Sequence, residues 1–328
     1  CPAWPGPDTS PATGRAAPGA AGRDVERDAA LAIERDAALA IERAFREADV
    51  SGRLHAVDID TGRELGVGAD DPVVLASVYK VPLLVAFFRL AARGVLDPAE
   101  RITLRPDERT EGGTGLSVML DDVTMSLRDL ALMMITVSDN AAADAVYARV
   151  GRDEVNAALD GLGLPGIRVT GDGRDLFDAL LADSGTSGLG ELWQRADEPG
   201  MLDRLGPLDP SRTSAGTPRE LTGLLSLIWL DRAAPAAECA LMRRMLGHQV
   251  WPHRLSAGFP RDDIRVSGKT GTLLTLRNEI GVVEYPDGGR YAVAVFTRAA
   301  EPVAVAPRAD AVIGATARIA VEALRRVR

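Results

Sequence analysis

Apolar and polar positions change period four times along this chain. The octet ERDAALAI occurs twice in succession at residues 26–41. Leu31, Ile33, Leu39, Ile41 and Phe45 are expected to form the apolar face of one amphipathic helix lengthened by that duplication. RLHAVDIDTGRELGVG then alternates and turns at Asp60-Thr61-Gly62, which predicts a β-hairpin. From Ser77 to about Gly247 the helical period returns. Ser126 and Asp129 resemble a capping box ahead of LRDLALMMITV. In TPRELTGLLSLIWL, Thr217 is placed to cap, Pro218 to take the first helical position and Glu220 the third. After Gly247 the pattern turns to strands, IRVSGKTG, RNEIGVVEY and RYAVAVFTR, the last two joined by Pro286-Asp287-Gly288-Gly289. A helix over 309–326 closes the chain.

Strands at both ends with helices between them predict an α+β fold. One antiparallel sheet draws strands from both chain ends and is flanked by helices, and an all-helical lobe stands beside it. The α/β lobe is expected over about 24–80 and 248–328, the helical lobe over about 81–247, and a site in the cleft between them. Residues 1–23, rich in Pro, Gly and Ala, read as a disordered tether. Cys1 at its head is a candidate lipid anchor of the mature bacterial lipoprotein kind, which implies an extracytoplasmic location; a truncated chain is the alternative reading.

Composition narrows this picture. With 328 residues, 46% of them hydrophobic, the chain can bury a sizeable core. A net charge of −9 argues against nucleic acid or an anionic membrane face as the partner. No run of 18 apolar residues is present, so no transmembrane helix is expected, and no signal peptide is visible. Cys239 sits in the helical run PAAECALMRRML as a small buried residue, with no disulfide to Cys1 expected. His55, His248 and His253 support neither a Ser-His-Asp triad nor a zinc site. No Gly-rich phosphate loop is found. A monomer without metal or cofactor is expected.

The segment VLASVYKVPLL places Lys80 three residues after Ser77 at the mouth of an apolar run. Residues three apart share a helix face, so Ser77 Oγ and Lys80 Nζ can meet. A lysine on the apolar side is desolvated, which favours its neutral form, and a neutral amine beside a serine is a general base. Alone the pair is weak, because a capping serine with a snorkelling lysine has the same spacing. Ser138-Asp139-Asn140, between two helical runs, and Lys269-Thr270-Gly271-Thr272, on the first late strand, follow in order.

Ser-x-x-Lys, Ser-Asp-Asn and Lys-Thr-Gly in this order resemble the class A β-lactamases and related penicillin-interacting serine hydrolases. The resemblance covers about residues 40–328 and extends to EGGTG at 111–115, TPRELTGLL and the RNEIGVV strand. It implies an α/β sandwich with Ser77 as the acyl-accepting nucleophile and Lys80 as its base or proton relay. Ser138 would pass the proton to the leaving nitrogen, and Asn140 would hold Lys80 and the substrate amide. Lys269, Thr270 and Thr272, with Gly271 between them and Arg277 nearby, would bind a substrate carboxylate. The N–H groups of Ser77 and Thr272 would form the oxyanion hole. The implied partner is a small β-lactam or peptide-like amide. Asp139 is expected to be structural, capping the next helix, and EGGTG to wall the cleft.

One element of the pattern is missing. Class A enzymes carry Glu-x-x-Leu-Asn on the omega loop, whose glutamate drives water onto the acyl-enzyme, yet no asparagine lies between Asn156 and Asn278. The segment 171–217 is also longer than the family usually has. Glu191, Glu198, Asp203 and Asp209 are its candidate bases, each more simply read as solvated charge. Acylation through Lys80 would survive this loss, whereas deacylation would lack its usual activator. Three readings follow: an acyl-serine hydrolase of β-lactams, a D-alanyl peptidase or transacylase, or a slow-turnover β-lactam sensor.

Overall fold

The computed structural model describes residues 20–326. Helix α1 (Ala20–Glu47) leads into strands β1 (Val50–Asp58), β2 (Glu64–Val67) and the short β3 (Val73–Val74). A 3-10 turn, Ala76–Tyr79, runs straight into α2 (Lys80–Ala92). The hairpin β4 (Arg101–Leu104) and β5 (Val123–Ser126) precedes α3 (Leu127–Thr136), α4 (Asn140–Val150) and α5 (Arg152–Gly161). Then come α6 (Gly173–Ser184), α7 (Leu189–Arg195) and α8 (Met201–Arg204), followed by β6 (Ala215–Gly216), α9 (Pro218–Trp229) and α10 (Ala236–Leu246). Strands β7 (Arg265–Leu273), β8 (Leu276–Glu284) and β9 (Arg290–Ala299) and helix α11 (Pro307–Arg326) complete the fold. The tether assigned to the first residues, including Cys1, lies outside the described residues as far as residue 19.

The five-stranded sheet has the order β2-β1-β9-β8-β7, antiparallel throughout, so both chain ends build it as the pattern predicts. Alternation along β9 divides the core: Tyr291, Val293 and Val295 pack with α1 and α11, while Ala292, Ala294 and Phe296 face the helical lobe. Helix α2 is buried on nearly every side, as a helix apolar all round must be. Pro82 fits its first turn because the N–H it lacks has no intrahelical acceptor there. Buried leucines such as Leu83 and Leu84 each contribute roughly 1.5–3 kcal/mol by leaving water, which fixes α2 as the axis of the helical lobe.

Three local expectations hold. Ser126 Oγ accepts from Asp129 N, Thr217 Oγ1 accepts from Glu220 N with Pro218 at the first helical position, and Asp139 caps α4. Two need correction. Ile33, Ala37, Ile41 and Phe45, spaced by four, form the inward face of α1. Leu31 and Leu39, two positions earlier in each octet, point outward and are more than half exposed. The helical lobe also carries the β4–β5 hairpin, whose four-residue strands alternate too briefly to stand out in the sequence.

Segment 171–217 is not a plain loop. Leu180, Leu192, Met201, Leu205 and Leu208 form a third apolar cluster with Val74 and Ala76 beside Ser77 and with Leu273, Leu274 and Leu276 at the β7–β8 turn. Its extra length therefore builds a core against the two elements that carry Ser77 and Lys-Thr-Gly.

Candidate active site

Ser77 is presented by a strained turn. Ala76 has φ +45, in the left-handed region that a residue with a Cβ rarely adopts. The surroundings hold it there: Leu75 N donates to Ser214 O (3.0 Å), and Asn278 Nδ2 donates to Val74 O (3.0 Å) and Leu75 O (3.5 Å). Strand β7 lies close against this turn. A Cβ at Gly271 would meet Leu75 O at 2.7 Å, so the glycine of Lys-Thr-Gly is what permits the approach.

Ser138 is also left-handed, φ +59, between α3 and α4. Asp139 fixes this connection by accepting from Ala142 N (3.1 Å) and Leu116 N (2.5 Å), and Thr114 Oγ1 donates to Val137 O (2.7 Å). Asp139 is thus structural, and EGGTG walls the cleft through Gly113 and Thr114.

The three motifs meet. Lys80 Nζ donates to Ser138 O (2.7 Å), Asn140 Oδ1 (2.9 Å), Ser138 Oγ (3.4 Å) and Asp139 O (3.4 Å). Lys269 Nζ donates to Ser138 Oγ (2.9 Å) and Thr270 O (2.7 Å). Ser138 Oγ therefore sits between two amines that are both fully buried. Asn140 Nδ2 donates to Glu111 O (2.8 Å), which orients its oxygen toward Lys80. In this arrangement Lys80 is bonded to residues 138–140 rather than to Ser77, and Ser77 shares the cleft with Ser138.

Burial pushes the Lys80 amine down to about 8, against the opposing pull of Asp144 and Asp139. It is therefore an accessible base, although at pH 7 roughly one molecule in ten carries it neutral. Lys269 is driven well below the ordinary lysine range by burial first and then by the Lys80 charge. Behind it, burial raises the Glu279 carboxyl to about 7, and Glu279 accepts from Gln249 Nε2 (2.7 Å) and Leu255 N (2.7 Å). Gln249 in turn accepts from Thr270 N (2.6 Å) and so positions the strand.

Ser77, Ser138, Asn140, Thr270 and Thr272 line one cleft of about 310 Å³. Arg277 does not reach it. Its guanidinium donates to the carbonyls of Leu274, Leu276, Val303 and Ala304, and it is a buried brace for the β7–β8 turn. Arg277 pairs with Thr272 across the ladder, yet its guanidinium turns away to the carbonyls around the β7–β8 turn and the 303–304 segment, which sequence proximity to Lys-Thr-Gly does not reveal. The cation in the cleft is Arg254, in a segment that carried no motif. It donates to Thr272 Oγ1 (2.8 Å), Gly271 O (3.0 Å) and Asn278 O (3.0 Å) and pairs with Asp310 (2.6 Å). Arg254→Ala is expected to lower the rate of acylation by a carboxylate-bearing substrate about 10–100-fold. Arg277→Ala is expected to leave that rate within about threefold while costing roughly 2–4 kcal/mol of stability. Stopped-flow acylation and thermal unfolding of the two variants separate these roles.

Trp251 and His253 complete the wall, their rings edge-on at 6.2 Å. None of Glu191, Glu198, Asp203 and Asp209 lines the cleft. Glu191 accepts from Ser187 N and Oγ, Glu198 pairs with Arg195, and Asp209 accepts from Ser211. Among the described residues, no carboxylate lines the cleft at all.

A serine on a strained turn, sharing a cleft between an antiparallel sheet and a helical lobe with a second serine that two buried amines hold, is the arrangement of the serine hydrolases that carry these three motifs. The chain belongs to the Beta-lactamase enzyme family, whose model matches residues 36–324. It is 31% identical over 302 residues to the Beta-lactamase regulatory protein BlaB of Streptomyces cacaoi, covering 84% of this chain and 93% of that protein. It is 30% identical over 280 residues to a Beta-lactamase of Amycolatopsis lactamdurans, covering 83% of this chain and 80% of the other. The crystal structure of a β-lactamase from Sphaerobacter thermophilus superposes with a TM-score of 0.71 at 25% identity, over 88% of this chain and 96% of that one.

Proposed function

We propose that the protein is a β-lactamase-like serine hydrolase that is acylated at Ser77 by β-lactams and releases the acyl group slowly. The observation that carries this is a cleft with the groups for acylation and, among the described residues, no carboxylate in its lining. Ser77 Oγ attacks the lactam carbonyl carbon and gives its proton to neutral Lys80, reached through Ser138. The C–N bond breaks as Ser138 Oγ hands a proton to the ring nitrogen, and the Lys80 ammonium formed in the first step returns its proton to Ser138 while Lys269 orients that hydroxyl. Arg254, Thr270 and Thr272 receive the carboxylate. The amides of Ser77 and Thr272 hold the oxyanion.

The resemblance to a protein named as regulatory favours sensing over degradation as the use of a persistent acyl-enzyme. Purified protein mixed with a chromogenic cephalosporin is expected to give a burst of about one equivalent. Intact mass spectrometry is then expected to show the adduct for minutes to hours. Sustained turnover without an accumulating adduct would establish an efficient lactamase instead. Neither colour nor adduct would favour the peptidase or transacylase.

A further inference from the structure

A second cavity, of about 380 Å³, lies on the other side of the nucleophile turn and is larger than the catalytic cleft. Its floor is one face of three adjacent strands. Arg53 of β1, Phe296 of β9 and Asn278 of β8 stand opposite one another, and Ser51, Arg298 and Leu276 form the next row. Val73 and Val74 of β3 form one wall, and Leu208, from the long segment 171–217, closes another.

The two cations at this cavity differ. Arg53 is paired with Asp71 at 2.5 Å. Arg298 is exposed, donates to the Leu208 carbonyl at 3.1 Å, and has no carboxylate within ion-pair distance among the described residues. Asp209 lies near enough to feel its charge, but that carboxylate is engaged by Ser211 N and Oγ. A hollow with apolar walls, lined also by the Arg53–Asp71 pair and by one guanidinium outside any ion pair, matches a ligand with one negative charge and an apolar body.

We propose that this cavity binds a small monoanionic amphiphile, its carboxylate on Arg298 and its apolar body against Val74, Leu276, Phe296 and Leu208. The site is connected to the nucleophile. Buried Asn278 on its floor donates to Val74 O and Leu75 O, the residues that lead into the strained Ala76-Ser77 turn. Val74 and Leu208 also belong to the apolar cluster that contains Ala76.

Calorimetric titration of the full chain with octanoate tests this, and it makes no use of acylation. Octanoate is expected to bind with a Kd on the order of 1 mM or tighter, and octylamine, of the same length and opposite charge, not to bind. Arg298→Gln is expected to weaken octanoate about tenfold or more and Arg298→Lys to restore much of the affinity, whereas Arg254→Gln leaves it within about threefold. Val73→Trp, which fills the cavity from its wall, is expected to abolish binding. No heat up to about 10 mM octanoate would overturn the assignment. So would loss of binding in Arg254→Gln but not in Arg298→Gln, because the ligand would then sit in the catalytic cleft.

Discussion

Ser77→Ala is expected to abolish every covalent adduct between this protein and a penicillin, leaving the intact mass unchanged after an overnight incubation that fully labels the wild type. The effect is expected to be total rather than graded because the proposed acyl bond is to Ser77 Oγ, and two neighbouring hydroxyls are already engaged. Ser138 Oγ is held between Lys80 at 3.4 Å and Lys269 at 2.9 Å as a proton carrier. Thr272 Oγ1 accepts from the Arg254 guanidinium. The fold should tolerate the change, since Ser77 is only partly buried and the turn is held by Leu75 N, Asn278 and the Ala76 contacts rather than by its hydroxyl. Circular dichroism and the unfolding midpoint should therefore match the wild type within about 1 kcal/mol. An adduct that persists in the folded variant would move the nucleophile elsewhere.

Much of the architecture was legible because local signals agreed with the global fold. Capping at Ser126, Asp139 and Thr217 is a side-chain-to-backbone event within three residues, so it reads directly from sequence. The strands of the sheet alternate or run apolar, and their turn residues are explicit. What escaped depends on tertiary neighbours. Leu31 and Leu39 are apolar and repeat with the octet, yet α1 needs only the stripe through Ile41 to cover the sheet. Arg277 and Arg254 are both buried arginines near Lys-Thr-Gly, and only the tertiary hydrogen bonds tell which guanidinium turns toward Thr272, since Arg277 is the ladder partner of Thr272 and Arg254 lies outside every strand. The contribution of segment 171–217 was hidden for a different reason. Its leucines fill a core shared with Ala76 and Leu273, and no period within the segment announces partners so distant in the chain.

Those observations also bear on how the site is kept poised. Two left-handed non-glycine residues, Ala76 and Ser138, precede or carry the hydroxyls of Ser77 and Ser138, and a third, Leu274, follows Lys-Thr-Gly. Strain of this kind costs of order 1–3 kcal/mol per residue and persists only where packing over-determines it. The apolar cluster around Ala76 and Leu274 supplies that packing, so segment 171–217 acts as a buttress for the site while contributing no carboxylate to the cleft.

Lys80→Ala is expected to slow acylation about 10²–10⁴-fold, and the pH dependence should reveal why. If the neutral amine accepts the Ser77 proton, the wild-type acylation rate climbs about tenfold per pH unit at low pH and levels off near pH 8, where burial has placed Lys80. The alanine variant should lose that limb. Lys80→Arg discriminates between a base and a mere positive charge: a guanidinium keeps the charge but does not deprotonate, so it should be as slow as alanine. A fast arginine variant would show that charge alone suffices. Stability supplies an independent readout, since a lysine moved from 10.5 down to about 8 binds its proton less tightly in the folded chain than in the unfolded one. Its burial therefore costs on the order of 3 kcal/mol at any pH below about 8. The penalty fades as pH rises from about 8 toward 10.5, because there the unfolded chain holds the proton that the folded chain has released. Denaturation of wild type and Lys80→Met across pH 6–10 should accordingly show the wild type gaining on the variant as pH rises through that window. A stability difference independent of pH would mean that Lys80 keeps an ordinary proton affinity, and would remove it as the base.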